Sequence, residues 1–317
     1  MAAEKDMAGG RAAFDAAAGV SAAGGALNAG GVTTPVEPSA GGVAAVGAAT
    51  AGASTAGASA AGAATAGAPA LEARGLTCAW DGKHDVVRGI DLHVNCGETV
   101  CIVGKSGCGK TTILHALSGL TRPREGRVLL HGEDLDGKPG RVSYMLQKDL
   151  LLPSRTILDN AILPLVLAGE KKDAARARAL PLMERFGLSG CEDKWPSELS
   201  GGMRQRAAFL RTYLMGNDVA LLDEPFSALD ALTRVDLRRW YCQMAAELGI
   251  ASIVITHDVD EAASMASRVY VLAGDPRAGA PSTVAGEVVV DRTGAADDFE
   301  LSDAFLAAKK EVLALLG

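Results

Sequence analysis

The sequence predicts an α/β fold with an N-terminal antiparallel β-subdomain and an inserted all-helical subdomain. Three observations predict it. A short apolar strand, a glycine loop and the start of a helix follow one another between Glu98 and Thr112. Apolar runs typical of buried strands recur from there towards the C-terminus, in alternation with helical patterns. Residues from about 150 to 215 show helical periodicity without a convincing strand.

The first 70 residues form a low-complexity segment rich in Ala, Gly, Ser and Thr. With few large side chains to bury, the segment cannot offset the entropy of ordering its backbone, and we expect a disordered tail. Residues 40–70 are uncharged but lack the Leu, Ile and Phe that favour membrane insertion. No compact apolar segment follows Lys5, so a secretory signal is not expected either.

Residues 71–80 and 86–94 carry apolar positions typical of strands, and a turn at 81–83 joins them. Trp80 falls at the end of the first strand. Two interpretations of it remain open: an ordinary core or surface aromatic, or a platform on which a purine ring stacks.

Residues 98–112 contain a phosphate-loop pattern, since Gly104, Gly109, Lys110 and Thr111 fit G-x-x-x-x-G-K-[ST]. The glycines let backbone N–H groups turn towards phosphate oxygens, and the helix start adds partial positive charge. Lys110 would reach the β- and γ-phosphates, and the Thr111 hydroxyl would ligate Mg²⁺. A chance match is the alternative, but the strand before the loop and the helix after it are the context that the motif requires.

Charge and cysteine content limit the classes of partner and compartment. A formal net charge of −7 gives no electrostatic footprint for DNA or RNA, so no nucleic-acid partner is expected. The six cysteines show neither paired C-x-x-C spacing nor a His cluster, which favours a reducing, cytosolic compartment. Cys108 lies in the phosphate loop beside a helix start, where we expect the thiolate to be favoured and alkylation to block nucleotide binding.

Two further strands are predicted at 127–131 and 141–146, and Gln147 follows the second directly. Helices are predicted at 156–167, 172–186 and 202–214, with Pro164 and Pro181 expected to kink or break theirs. Ser200 is a suitable N-cap for the third helix, and Gly201 and Gly202 leave its first N–H groups uncovered. An ordinary capped helix and a second anion site both fit this pattern.

An apolar run at 219–222 ends in Asp223 and Glu224, two carboxylates at the edge of a buried strand. A Mg²⁺–nucleotide is their natural partner: Asp223 would hold the metal, and Glu224 would activate the water that attacks the γ-phosphate. The alternative is a solvated strand end. His257 follows another apolar strand at 253–255, and polar groups at such strand ends line the ligand crevice of open α/β sheets. Strands at 268–272 and 284–291 and a helix at 302–316 complete the prediction.

These motifs, in this order and with Ser227-Ala-Leu-Asp230 among them, resemble those of the ATP-binding cassette ATPases over residues 71–317. The resemblance implies a P-loop NTPase (RecA-like) core that binds ATP and Mg²⁺ and hydrolyses ATP. It implies Glu224 as catalytic base, His257 at the γ-phosphate, Gln147 on the metal and lytic water, Thr111 and Asp223 on the metal, and Asp230 at a subunit interface. The implied nucleotide contacts are Trp80, Gly104, Ser106, Gly107, Cys108, Gly109, Lys110, Thr111 and Thr112, with Ser200, Gly201 and Gly202 supplied to a second subunit.

The same resemblance implies a head-to-tail dimer with two ATP molecules at the interface. Finer features, among them Asp223-Glu-Pro-Phe-Ser-Ala-Leu-Asp230, are similar to importers of the nitrate, sulfonate and taurine type. The implied partners are integral-membrane permease subunits and, indirectly, an extracytoplasmic solute-binding protein, at the cytoplasmic face of the cell membrane. Ser154 stands where that group often carries Trp, so importers of other small solutes such as a pyrimidine precursor stay open. A non-transport ATPase of the family and a regulatory protein without turnover are the remaining alternatives.

Overall fold

The computed structural model describes residues 69–80, 84–292 and 299–317. The low-complexity segment expected to be disordered lies outside these residues, apart from Pro69 and Ala70. None of the described helices combines the length and the apolarity needed to cross a bilayer.

A single ten-stranded sheet organises the described chain, in the order β5-β4-β1-β2-β10-β9-β3-β8-β7-β6. The four strands at one end of the sheet, β5, β4, β1 and β2, pair antiparallel, which confirms the predicted β-subdomain. The strands are β1 (Leu71–Ala79), β2 (Asp85–Val94), β3 (Thr99–Gly104), β4 (Glu125–Leu130), β5 (Glu133–Asp134), β6 (Ser143–Met145), β7 (Val219–Asp223), β8 (Ala251–Thr256), β9 (Arg268–Asp275) and β10 (Ala280–Val289).

The central strands β9, β3, β8, β7 and β6 are parallel, so their carboxyl ends share one edge of the sheet. Strands β3, β7 and β8 are buried along almost their whole length, as expected where helices cover both faces. The loops that follow β3, β6, β7 and β8 carry the phosphate loop, Gln147, Glu224 and His257. The topology therefore brings these motifs to one edge, where open α/β sheets bind ligands.

Eight helices accompany the strands in the described ranges, and four of them, α2 to α5, lie between β6 and β7. No strand interrupts this stretch, as the sequence predicts. The helices are α1 (Lys110–Leu117), α2 (Ile157–Ala161), α3 (Leu163–Leu167), α4 (Lys172–Arg185), α5 (Gly201–Tyr213), α6 (Ala231–Leu248), α7 (Val259–Met265) and α8 (Asp303–Leu316).

The two prolines expected to disturb helices behave differently. Pro164 lies in the first turn of α3, where its missing N–H costs nothing, and the predicted helix 156–167 divides there into α2 and α3. Pro181 does not break its helix: α4 continues through it. Pro181 and Ala177, the residue whose carbonyl loses its bond, are both exposed, so water can satisfy the freed group.

The apolar core lies in two clusters. One joins the β-subdomain to α1 and to one face of the central sheet, with Leu76, Ile90, Ile102 and Ile113 fully buried. The other joins the helical insertion to the opposite face, around Phe209 and Phe226. Because α5 packs within this second cluster, its N-terminus is held near the edge of the sheet that carries the motifs.

Candidate active site

The phosphate loop connects β3 to α1 in a tight turn. At two of its positions the backbone adopts a conformation that favours glycine. Gly107 and Gly109 have φ of +83° and +98°. A Cβ on Gly109 would also lie 2.7 Å from the Val87 side chain, so β2 packs closely against the loop. Gly109 precedes α1 without a side-chain cap, which leaves first-turn N–H groups free to bind an anion.

Lys110 is buried within the loop that it serves. Its Nζ donates to the carbonyl oxygens of Gly104, at 2.8 Å, and Lys105, at 3.1 Å. The ammonium is thereby held inside the curve of the loop, beside the backbone N–H groups. Phosphate oxygens bound there would meet a positive charge together with aligned N–H donors.

Thr111 and Asp223 meet across the gap between α1 and β7, where the Thr111 hydroxyl donates to Asp223 Oδ2 at 3.0 Å. Burial raises the pKa of Asp223, and the neighbouring Glu224 charge adds to this effect. A hydroxyl and a carboxylate oxygen are ligands that Mg²⁺ accepts, together with water and phosphate oxygens. The donor set therefore fits Mg²⁺, and the described residues contain no His, Cys, Asp and Glu cluster typical of an all-protein metal cage.

Glu224 is the centre of a polar cluster at the carboxyl ends of β6, β7 and β8. Its Oε2 accepts from Gln147 Nε2 at 3.1 Å and lies 3.2 Å from His257 Nδ1. Its φ of +44° is unusual for a residue with a Cβ, and such strained backbone concentrates at functional sites. Three residues from separate loops are thus brought together around one carboxylate.

The backbone of Glu224 is fixed on both sides. Its N–H donates to the Ile255 carbonyl of β8 at 3.0 Å, and its own carbonyl accepts from the Ser227 hydroxyl at 2.9 Å. These bonds hold the strained conformation.

Tyr144, which the sequence motifs do not mark, lies on β6 beside Asp223. Its hydroxyl is buried, and burial together with the Asp223 charge raises the pKa of the phenol. No motif marks it. The signal was its place on the strand that leads to Gln147, because side chains of adjacent parallel strands meet on the same face.

Trp80 follows β1 and is 73% exposed, so the interpretation as a core aromatic is wrong. Its indole Nε1 donates to the hydroxyl of Thr112 at 3.0 Å. The ring is therefore anchored to the first turn of α1 while most of its surface stays accessible. An exposed aromatic next to a phosphate loop is well placed to stack on a nucleobase.

Ser200 caps α5 as predicted, with its hydroxyl accepting from the Met203 N–H at 3.3 Å. Gly202 lies against α6, where a Cβ would approach the Thr233 methyl to 2.8 Å. Asp230 caps α6 by accepting from the Thr233 N–H at 3.0 Å. Within the part of the chain that the structure describes, no hydrogen bond or ion pair joins Ser200 to the phosphate loop, so these two anion-seeking helix ends are not brought together in one chain.

The expectation that Cys108 is present as a thiolate is wrong. The side chain is 2% exposed, and burial raises the pKa of the thiol despite the positive charge of Lys110. All six cysteines fall within the described ranges as free thiols, and Cys96 is exposed. The helix start favours the thiolate, but desolvation of the buried side chain raises the pKa by more.

Alkylation is consequently expected to distinguish Cys96 from Cys108. Under native conditions iodoacetamide should label Cys96 rapidly and Cys108 slowly, because a buried, protonated thiol is a poor nucleophile. Peptide mass spectrometry over a time course measures both rates, with the unfolded protein as the control in which they converge. Equally fast labelling of both cysteines in the native protein would contradict the buried position of Cys108.

Comparison with known proteins places these features in one family. The sequence model of the ABC transporter family matches residues 87–227, a span that includes the phosphate loop, Gln147, Ser200 and Glu224.

Three curated relatives are similar over more than half of this chain. The uncharacterised ABC transporter ATP-binding protein YtlC of Bacillus subtilis is 41% identical over 61% of this chain and 75% of its own. The formylaminopyrimidine import ATP-binding protein ThiZ of Halalkalibacterium halodurans is 38% identical over 62% and 77%. The aliphatic sulfonates import ATP-binding protein SsuB of Rhodopseudomonas palustris is 43% identical over 64% and 70%.

Solved structures agree with the fold. The dimeric ABC transporter cassette MJ0796 superposes with a TM-score of 0.59 at 25% identity, over 70% of this chain and 99% of its own. The same cassette, with the same scores, has been described as a dimer in a post-hydrolysis state bound to ADP and phosphate.

Proposed function

The chain belongs to the ABC transporter family of ATP-binding proteins, and from this we propose that it is the ATPase subunit of an importer, acting through a separate membrane permease. The family's ATPase activity needs a nucleotide cradle, a carboxylate beside it and groups that orient water. The observation that carries the proposal is the meeting of Gln147, Glu224 and His257 beside the phosphate loop. The chain would act at the cytoplasmic face of the cell membrane.

In the proposed reaction, the phosphate loop and Lys110 hold the triphosphate, and Trp80 supports the adenine ring. Glu224 accepts a proton from the attacking water, which Gln147 and His257 help to orient through their contacts with the carboxylate. Thr111, Asp223 and Gln147 would hold Mg²⁺, which when bound neutralises charge on the β- and γ-phosphates. As pH falls through the raised pKa of Asp223, protonation should weaken this metal site.

A second subunit completes the site. Ser200 and Gly202 lie at a helix N-terminus that no hydrogen bond or ion pair joins to the phosphate loop in the described part of the chain, and the relative MJ0796 is dimeric. We expect this N-terminus to close over the triphosphate held by the facing subunit. The γ-phosphate would then favour the closed dimer, and hydrolysis would favour its opening.

The segment after Gln147 is the expected docking surface for the permease. Leu150 and Leu152 are exposed although apolar, and Leu150 has φ of +44°. Arg211 of α5 donates to the Leu150 carbonyl at 2.8 Å, which holds this loop in shape and joins it to the helix that Ser200 caps. Exposed apolar side chains on an ordered loop are typical of protein–protein contacts.

Docking predicts that Leu152→Cys forms a crosslink to a permease subunit in the assembled complex. Cys at Leu313, an exposed position on the C-terminal helix α8, is the control, and it should crosslink weakly. The crosslinked product is detected by denaturing gel and mass spectrometry. If Leu313→Cys crosslinks and Leu152→Cys does not, the segment faces away from the permease.

The solute is proposed as sulfonate-like, with a formylaminopyrimidine-like compound as the second candidate, because relatives of both kinds have similar identity. The site itself touches ATP and not the cargo. The experiment is ATP-dependent uptake by proteoliposomes that contain this chain, its permease and the binding protein encoded beside them. Uptake of labelled taurine or alkanesulfonate supports the first solute class, and uptake of the pyrimidine supports the second.

A further inference from the structure

The β9–β10 hairpin places a cationic side chain against the phosphate loop. This side chain belongs to none of the family motifs. Arg277 lies at the tip of this hairpin, in the short 3-10 turn Pro276–Ala278. A Cβ built on Gly107 would lie 3.2 Å from the guanidinium carbon and from Nη2 of Arg277. The guanidinium therefore rests beside the backbone of the phosphate loop.

The protein itself does not explain this position of the guanidinium. Among residues 69–80, 84–292 and 299–317, the Arg277 side chain forms no ion pair and no hydrogen bond. Asp275, the nearest carboxylate in sequence, instead accepts from the backbone N–H groups of Arg277 at 3.1 Å and Ala278 at 3.3 Å. The carboxylate thus fixes the turn and leaves the cation available.

Two other arginines line the same cleft as Arg277. Asp85 is shared between Arg88, at 2.9 Å, and Arg124, at 2.8 Å. Arg124 also lies 3.5 Å from Glu125, so Arg88 and Arg124 both have carboxylate partners, and among the described residues of this cleft Arg277 is the arginine whose guanidinium remains available to an anion. The cleft has a volume of about 480 Å³ and is lined by His84, Asp85, Arg88, Arg124, Pro276, Arg277, Gly279 and Pro281.

We propose that Arg277 binds the phosphates of the nucleotide, as a second cation beside Lys110. Lys110 acts from inside the loop, and Arg277 approaches the same loop from the hairpin. A guanidinium offers a planar fork of donors that matches phosphate oxygens, and its partly solvated position keeps the cost of desolvation low. This inference rests on the proposed function, because it requires the phosphate loop to hold ATP.

The test compares Arg277→Ala, Arg277→Lys and the parent protein by displacement of a fluorescent ATP analogue. The competitors are ATP, inorganic tripolyphosphate and adenosine. In Arg277→Ala, loss of a charge-assisted contact should lower the affinity for ATP and tripolyphosphate by about tenfold and leave the affinity for adenosine unchanged. The affinities of Arg277→Lys for ATP and tripolyphosphate should be intermediate. Arg122→Ala, which removes an exposed arginine paired with Asp136, is the matched control and should match the parent.

Unchanged ATP affinity in Arg277→Ala, at an unchanged melting temperature, would overturn the assignment. An equal loss for adenosine and tripolyphosphate would also overturn it, since Arg277 would then act on the nucleoside. If the parent protein does not bind the fluorescent ATP analogue, the proposed function is wrong, and this inference is wrong with it.

Discussion

Glu224→Gln is expected to remove nearly all ATP turnover while ATP still binds. The amide cannot accept the proton of the attacking water, and loss of a general base lowers the rate by about 10²–10⁴-fold. The phosphate loop and Lys110 are untouched by the change, and an amide still hydrogen-bonds Gln147 and His257. Phosphate release and ATP affinity, measured on the same preparation, separate the two effects.

The same variant should accumulate as an ATP-bound dimer, because the step that opens the interface is blocked. Analytical ultracentrifugation with and without ATP measures this. Glu133→Gln, an exposed glutamate on β5 that faces Arg141, is the matched control and should hydrolyse ATP at the parental rate. A Glu224→Gln variant with parental turnover would show that another group acts as the base.

Lys110→Ala is expected to fail at the earlier step, the binding of nucleotide. The change removes the buried ammonium that the carbonyl oxygens of Gly104 and Lys105 hold inside the loop. Hydrogen bonds to a charged group contribute about 1.5–3 kcal/mol, so ATP affinity should fall by roughly 10- to 100-fold. Equilibrium binding of a fluorescent ATP analogue measures the loss.

Lys138→Ala provides the control for Lys110→Ala, since Lys138 is an exposed lysine at a distance from the loop in sequence. It should bind ATP as the parent does. If Lys110→Ala binds ATP with the parental affinity, the phosphate loop does not bind the nucleotide as proposed. The two predictions together separate binding from chemistry, because Lys110 acts on the first and Glu224 on the second.

Most of the sheet could be predicted from local signals. The run from Val100 to Val103 is apolar and is followed by the loop glycines, and α1 begins directly after them, as the phosphate-loop pattern predicts. Helices α6 and α7 were not individually predicted, although Asp230 and Gly249 are suitable residues for the two ends of α6. The apolar residues of α6 are spread around the helix, and α7 has only 7 residues, so neither gives a clear helical periodicity.

The sequence-based predictions fail where residues distant in sequence determine the burial or the position of a side chain. The helix start beside Cys108 indicates a thiolate, but burial of the side chain, which local sequence does not report, dominates the pKa. Tyr144 and Arg277 reach the site because β6 and β9 end at the same edge as β3. The order of the strands depends on pairing between residues distant in sequence. Local patterns therefore predict the motifs on that edge, but they do not predict which other residues lie beside the motifs.

The central claim is that the phosphate loop of one subunit and the Ser200–Gly202 helix end of another bind the same triphosphate. The most direct measurement is an experimental structure of Glu224→Gln with ATP and Mg²⁺. We expect a head-to-tail dimer in which Ser200 and the N–H of Gly202 lie within hydrogen-bond distance of the γ-phosphate held by Lys110 of the facing subunit. A nucleotide-bound structure in which that helix end contacts no phosphate would contradict the account.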